Sequence, residues 1–126
     1  MAMILIVEDE TQVRVLSESY LRDQGHKTLS AANVEEALAV MDVSEEIDLL
    51  FTDISLQGDV QAGLTLAQTA TEHRPALKVL YTTGLSVTDG MRALFVANSA
   101  FLAKPYTIDQ LQTILTVEFG IKPQSH

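Results

Sequence analysis

The 126-residue sequence contains no cysteine, which excludes disulfides, thiolate nucleophiles and zinc–thiolate centres. Basic residues are scarce: eight Lys and Arg stand against 17 Asp and Glu, for a net charge of −9. Binding to a phosphate backbone needs clustered cations, so nucleic acid is not expected as a direct partner. Long apolar runs are also missing. The N-terminal run Met3–Val7 is too short to span a bilayer and has neither a basic flank nor a cleavage site. It reads as a buried strand of a cytoplasmic protein with no membrane partner. Repeats, low-complexity tracts and linkers are absent.

What is present is an ordinary globular composition, 47% hydrophobic and 20% charged, in a chain long enough for one core. Short apolar runs alternate with amphipathic stretches, which predicts an α/β fold: a doubly wound, five-stranded parallel sheet with five helices. The predicted strands are Met3–Val7, Lys27–Ala31, Leu49–Thr52, Leu77–Thr82 and Ala100–Ala103. Helix one is expected from Glu10 to Gln24, with Val13, Leu16 and Tyr20 on one face and Gly25 as its stop. Asn33 with Glu36 reads as a capping pair for helix two, whose stripe is Val34, Ala37, Leu38 and Met41. Helix three is expected over Gly63–Glu72, ahead of Pro75. Helix four is expected to be capped by Ser86 and Asp89 and to end near Asn98. Thr107 with Gln110 is a capping box for helix five, whose face is Ile108, Leu111 and Leu115. The domain is placed at residues 1–121 and a short tail at 122–126, with the stretch from Gly120 onward expected to fray.

Polar residues recur where these strands end. Glu8 and Asp9 follow the first, Asp53 the third, Thr83 and Gly84 the fourth, and Lys104-Pro105 the fifth. In doubly wound sheets, ligands bind beyond the carboxyl ends of the strands, so these groups are expected in one crevice. Three carboxylates, a hydroxyl and an ammonium there suit a divalent cation and a phosphoryl group. Asp53 is the candidate nucleophile, able to form an acyl phosphate. Asp9 and Asp53, with Glu8 nearby, make a hard oxygen site suited to Mg²⁺. Lys104 would pair with a phosphoryl oxygen as a point charge, and Thr83 would donate to another. Gly84 and the backbone N–H of Ile54 would complete the cradle. Singly, each residue has an ordinary explanation: a turn aspartate, a loop carboxylate, a strand-end threonine, a solvated lysine. Four strand ends carrying the right groups in order make that explanation much weaker. His26, His73 and His126 share no spacing and receive no role.

The series Glu8-Asp9, Asp53, Thr83-Gly84, Lys104-Pro105 resembles the receiver domain of two-component response regulators over about residues 3–119. The resemblance implies a flavodoxin-like strand order 2-1-3-4-5. By position it implies that Asp53 is the phosphoacceptor, Glu8 and Asp9 the acid pocket, and the backbone carbonyl of Ser55 a further ligand to Mg²⁺. Thr83 matches the switch hydroxyl, Lys104 the family's lysine and Phe101 the switch aromatic. The implied function is acceptance of a phosphoryl group from a histidine kinase or histidine phosphotransfer protein. Phosphorylation would then alter the surface of helix four, strand five and helix five for a downstream protein target. A phosphorylation-dependent homodimer through helices four and five is a further partner that the family admits. The chain would be no enzyme beyond self-catalysed phosphotransfer and autodephosphorylation.

The sequence departs from the family pattern in places. Glu8 replaces the commoner Asp. After the acceptor, the usual Met-Pro pair is missing, and the stretch from Leu56 to Gly63 carries extra residues. Phe95 and Val96 either form an apolar docking patch or pack inward. The start at Met1 and the polar tail favour a stand-alone receiver, the alternatives being a relay intermediate or a receiver cut from a hybrid kinase or larger regulator. A phosphatase with an aspartyl nucleophile usually has a second acid two residues after it; here that position is Ser55. A flavin site is disfavoured because Glu8-Asp9-Glu10 would repel a phosphate after strand one.

Overall fold

The structure is a computed structural model that describes residues 2–44 and 46–123. Five strands, β1 (Met3–Val7), β2 (Lys27–Ala31), β3 (Leu49–Asp53), β4 (Lys78–Thr83) and β5 (Ser99–Ala103), alternate with five helices. The helices are α1 (Thr11–Asp23), α2 (Val34–Val43), α3 (Ala62–His73), α4 (Asp89–Ala93) and α5 (Ile108–Phe119). All strand pairs are parallel, in the order β2-β1-β3-β4-β5. The expected fold class and strand order are therefore present. The order reverses between β1 and β3, whose carboxyl ends deliver Glu8, Asp9 and Asp53 to one edge.

Side chains alternate across each strand, so the sheet builds two cores. Leu5, Val7, Leu50, Val79 and Tyr81 face Ala37 and Met41 of α2 and Leu64 and Ala67 of α3. Ile4, Ile6, Leu49, Phe51 and Leu80 face Leu21 of α1 and Leu111, Leu115 and Phe119 of α5. Every residue of β3 is buried, as its central place under two helical layers requires.

The local punctuation follows expectation. Asn33 accepts from the Glu36 N–H at 2.8 Å, and the Thr107–Gln110 capping box is complete. Gly25, at φ +89°, takes the left-handed conformation that ends α1.

Several expectations need correction. Leu16 is 65% exposed, and the buried residues of α1 are Ser17 and Leu21. The helix is rotated because the Ser17 hydroxyl meets the Tyr106 hydroxyl at 2.9 Å, a polar contact that apolar periodicity cannot register. Val13, Leu16, Tyr20 and the half-exposed Ile108 line an open apolar cavity of about 460 Å³ between α1 and α5, and of these Tyr20 also packs against the second core.

Helix four is only five residues long and is capped by Thr88, not by Ser86 or Asp89. It stops because the next residues bind the sheet. Phe95 stacks on Tyr81 with centroids 4.3 Å apart, and the Val96 N–H donates to the Tyr81 hydroxyl at 3.1 Å. Both side chains are partly buried and pack against the core, as the inward alternative expects.

Strands β3 and β4 each run one residue further than expected, making Asp53 and Thr83 the last strand residues. At the C-terminus, Gly120 adopts φ +68° and the Ile121 N–H returns to the Leu115 carbonyl at 2.9 Å. Ile121 is buried in the second core, so fraying does not begin at Gly120. Residues 124–126, with His126, lie outside the described residues. Among the described residues, no helix is long and apolar enough to cross a membrane.

Candidate functional site

Four strand ends converge at the carboxyl edge. Parallel pairing sets Asp53 opposite Thr82 and Thr83 opposite Ala103, and Lys104 and Glu8 lie one residue beyond β5 and β1. The Lys104 N–H donates to the Thr83 carbonyl at 3.0 Å, tying the last two strand ends together. The Lys104–Pro105 peptide is cis.

Lys104 Nζ donates to Asp53 Oδ2 at 2.7 Å and also to Glu8 Oε1. One oxygen from each of Glu8, Asp9 and Asp53 lies within 4.8 Å of the others. Three carboxylates around one ammonium leave negative charge uncompensated, and all the donors are hard oxygens. That set fits Mg²⁺ or a similar cation.

Burial acts unevenly on these groups. Asp53 is 6% exposed, and loss of water raises its pKa despite the bonds from Lys104 and the Ser55 N–H. Glu8 is raised for the same reason. For Asp9, burial pushes upward, but the Gln57 amide and the neighbouring Glu8 outweigh it and hold the carboxyl below its ordinary value. Burial disfavours the Lys104 ammonium, yet its bonds to Asp53 and Glu8 prevail and raise its pKa. The lysine stays charged in any physiological setting.

The remaining expected residues fall at or beside this edge. Thr83 is 2% exposed, and its oxygen accepts from the Leu85 N–H at 3.1 Å, so the hydroxyl proton is still available to donate. Gly84 lies beside Lys104, where an added Cβ would meet the lysine Cβ at 3.9 Å. The Ser55 N–H donates to Asp53 Oδ1 at 3.1 Å. Phe101 is half-buried on β5, its ring centroid 6.4 Å from that of Phe95 and 5.9 Å from the Arg92 guanidinium carbon. Ile54 is the exception. Its N–H donates to the Thr82 carbonyl at 2.8 Å, so it belongs to the β3–β4 ladder and is not a free donor to a ligand.

Two contributors escaped the sequence reading. Gly63 passes so close to β3 that a Cβ there would lie 2.0 Å from the Asp53 carbonyl oxygen. Its N–H donates to the Ile54 carbonyl at 2.7 Å. A glycine opening α3 was visible in the sequence, but nothing there marked it as touching the acceptor's backbone. The second is Gln57, whose N–H donates to Asp9 Oδ2 at 2.9 Å. The only hint was the missing proline in that loop.

Residues 4–116 match the family described as "Response regulator receiver domain". The nitrogen assimilation regulatory protein NtrX of Azorhizobium caulinodans is 30% identical over 112 residues, covering 88% of this chain and 24% of that protein. The chain thus spans about a quarter of the length of the NtrX-type relatives it matches. A response regulator receiver protein from Sinorhizobium medicae superposes with a TM-score of 0.83 at 26% identity, covering 94% of each chain. TrrA of Thermotoga maritima, solved in complex with Mg²⁺-BeF, gives a TM-score of 0.79 at 26% identity, covering 94% of this chain and 100% of that one.

Proposed function

Because the chain belongs to the response regulator receiver domain family, we propose that it is a phosphoacceptor that takes a phosphoryl group on Asp53. The observation that carries this reading is Lys104 bridging Asp53 and Glu8 beside Asp9, with three carboxylate oxygens within 4.8 Å of one another. Receiver domains bind Mg²⁺ at such an acidic pocket; when bound, the ion neutralises charge between the nucleophile and the incoming phosphoryl oxygens.

Glu8, Asp9, Asp53 and the Ser55 carbonyl would hold the ion. An Asp53 oxygen forms the new O–P bond as the P–N bond of a donor phosphohistidine breaks. The bonding pair leaves with the imidazole, which then takes a proton. Lys104 neutralises a phosphoryl oxygen, and the Thr83 hydroxyl donates to another. The movement of Thr83 would vacate space that Phe101 can fill, altering the surface of α4, β5 and α5. Receiver domains interact with histidine kinases and downstream effectors, and are generally not true enzymes. The upstream donor is therefore a histidine kinase or phosphotransfer protein, and the output a protein contact. A relay role, passing the phosphoryl group onward, would be distinguished by back-transfer.

Exposure to acetyl phosphate, read by intact mass, tests the assignment. One phosphate should be added with Mg²⁺ present, and none after chelation or in Asp53→Asn. Equal modification of Asp53→Asn would overturn it.

A further inference from the structure

The loop after β3 closes on itself as a minimal hairpin. Leu56 and Asp59 exchange both backbone hydrogen bonds, each at 3.0 Å, around Gln57 and Gly58. The two central residues have φ +51° and +82°, the pair of left-handed conformations that a type I′ turn demands. Gly58 adopts this readily; Gln57 does so against the preference of an L side chain. Leu56 anchors the hairpin in the first core, while Gln57, Gly58 and Asp59 are exposed. This turn aims the Gln57 N–H at Asp9 Oδ2, across 48 residues of sequence, at 2.9 Å.

We propose that the Leu56–Asp59 hairpin is a positioning device for the metal site, its Gln57 backbone N–H holding the Asp9 carboxylate in place for the cation. This rests on the reading of Asp9 as a metal ligand. A hydrogen bond to one carboxylate oxygen fixes the rotation of the group and leaves its second oxygen free of that bond. Outer groups of this kind orient a ligand before the metal arrives, and their loss typically lowers metal affinity by about 10–100-fold. The donor is a backbone atom, so the side chain of residue 57 is dispensable. Proline at this position would abolish the effect, because it has no N–H and its φ is locked near −65°.

The test is Mg²⁺ affinity by isothermal titration calorimetry on the full chain. Gln57→Ala and Gln57→Gly keep the N–H and should bind within about twofold of wild type, while Gln57→Pro should bind about 10-fold more weakly. A metal-free readout accompanies it: the Gln57 amide should be protected from hydrogen exchange in wild type and lose that protection in Asp9→Ala. Equal Mg²⁺ affinity in Gln57→Pro and wild type, an equal loss in Gln57→Ala and Gln57→Pro, or an unprotected Gln57 amide would each overturn the proposal. If wild type still accepts a phosphoryl group from acetyl phosphate, those results remove the hairpin's role alone. A wild-type chain that neither binds Mg²⁺ nor accepts phosphate removes the phosphoacceptor proposal with it.

Discussion

Gly63 abuts the Asp53 backbone: a Cβ on residue 63 would lie 2.0 Å from the Asp53 carbonyl oxygen and 2.8 Å from the Ile54 Cα. The obstruction is backbone on a central strand, so no side chain can swing aside. The start of α3 thereby braces the strand end that carries the proposed acceptor.

Gly63→Ala should destabilise the fold by about 2 kcal/mol or more, the scale of forced overpacking in a dense interior. Urea unfolding gives the value. A variant as stable as wild type would contradict the close approach.

The acid pocket makes a prediction about pH. Burial raises the Asp53 carboxyl from its ordinary 3.8, so the folded state favours the protonated form. A raised pKa contributes stability that is fully present below the unfolded value and lost as pH rises through the folded value. Asp53→Asn cannot lose a proton there. As pH rises above about 4, the difference in unfolding free energy should therefore shift in favour of Asp53→Asn, as read by denaturant titration at each pH. A shift toward wild type would mean that Lys104 outweighs the cost of burial.

His26 sits at the opposite end of the sheet, buried, with neither ring nitrogen hydrogen-bonded, near Asp48, Lys78 and Lys122. Burial lowers its pKa from the ordinary 6.5. A lowered histidine pKa contributes stability that is complete above the unfolded value and is lost as pH falls toward the folded one. As pH drops below about 6.5, the stability difference should therefore move in favour of His26→Leu over wild type. Thermal melts in matched buffers between pH 7 and pH 5 would show it; parallel curves would refute the role of His26.

Much of this protein could be read from local sequence. Strand β1 was bounded correctly because its apolar run ends abruptly in charge, and α2 and α5 because Asn33 and Thr107 cap within three residues of themselves. The carboxylates and Lys104 were found because each directly ends or follows a strand, and a parallel sheet brings such ends together whatever the loops do. Tertiary structure alone decided the rest, because the deciding contacts join residues far apart in the chain. Tyr81 captures the Val96 N–H and cuts α4 short, and Tyr106 meets Ser17 and rotates α1 so that Leu16 faces outward. Thr82 engages the Ile54 amide, and Asp9 receives the N–H of Gln57. Periodicity and capping are short-range signals that report which face is apolar and where a helix begins. Which distant atom a backbone amide meets is known only once the layers have packed.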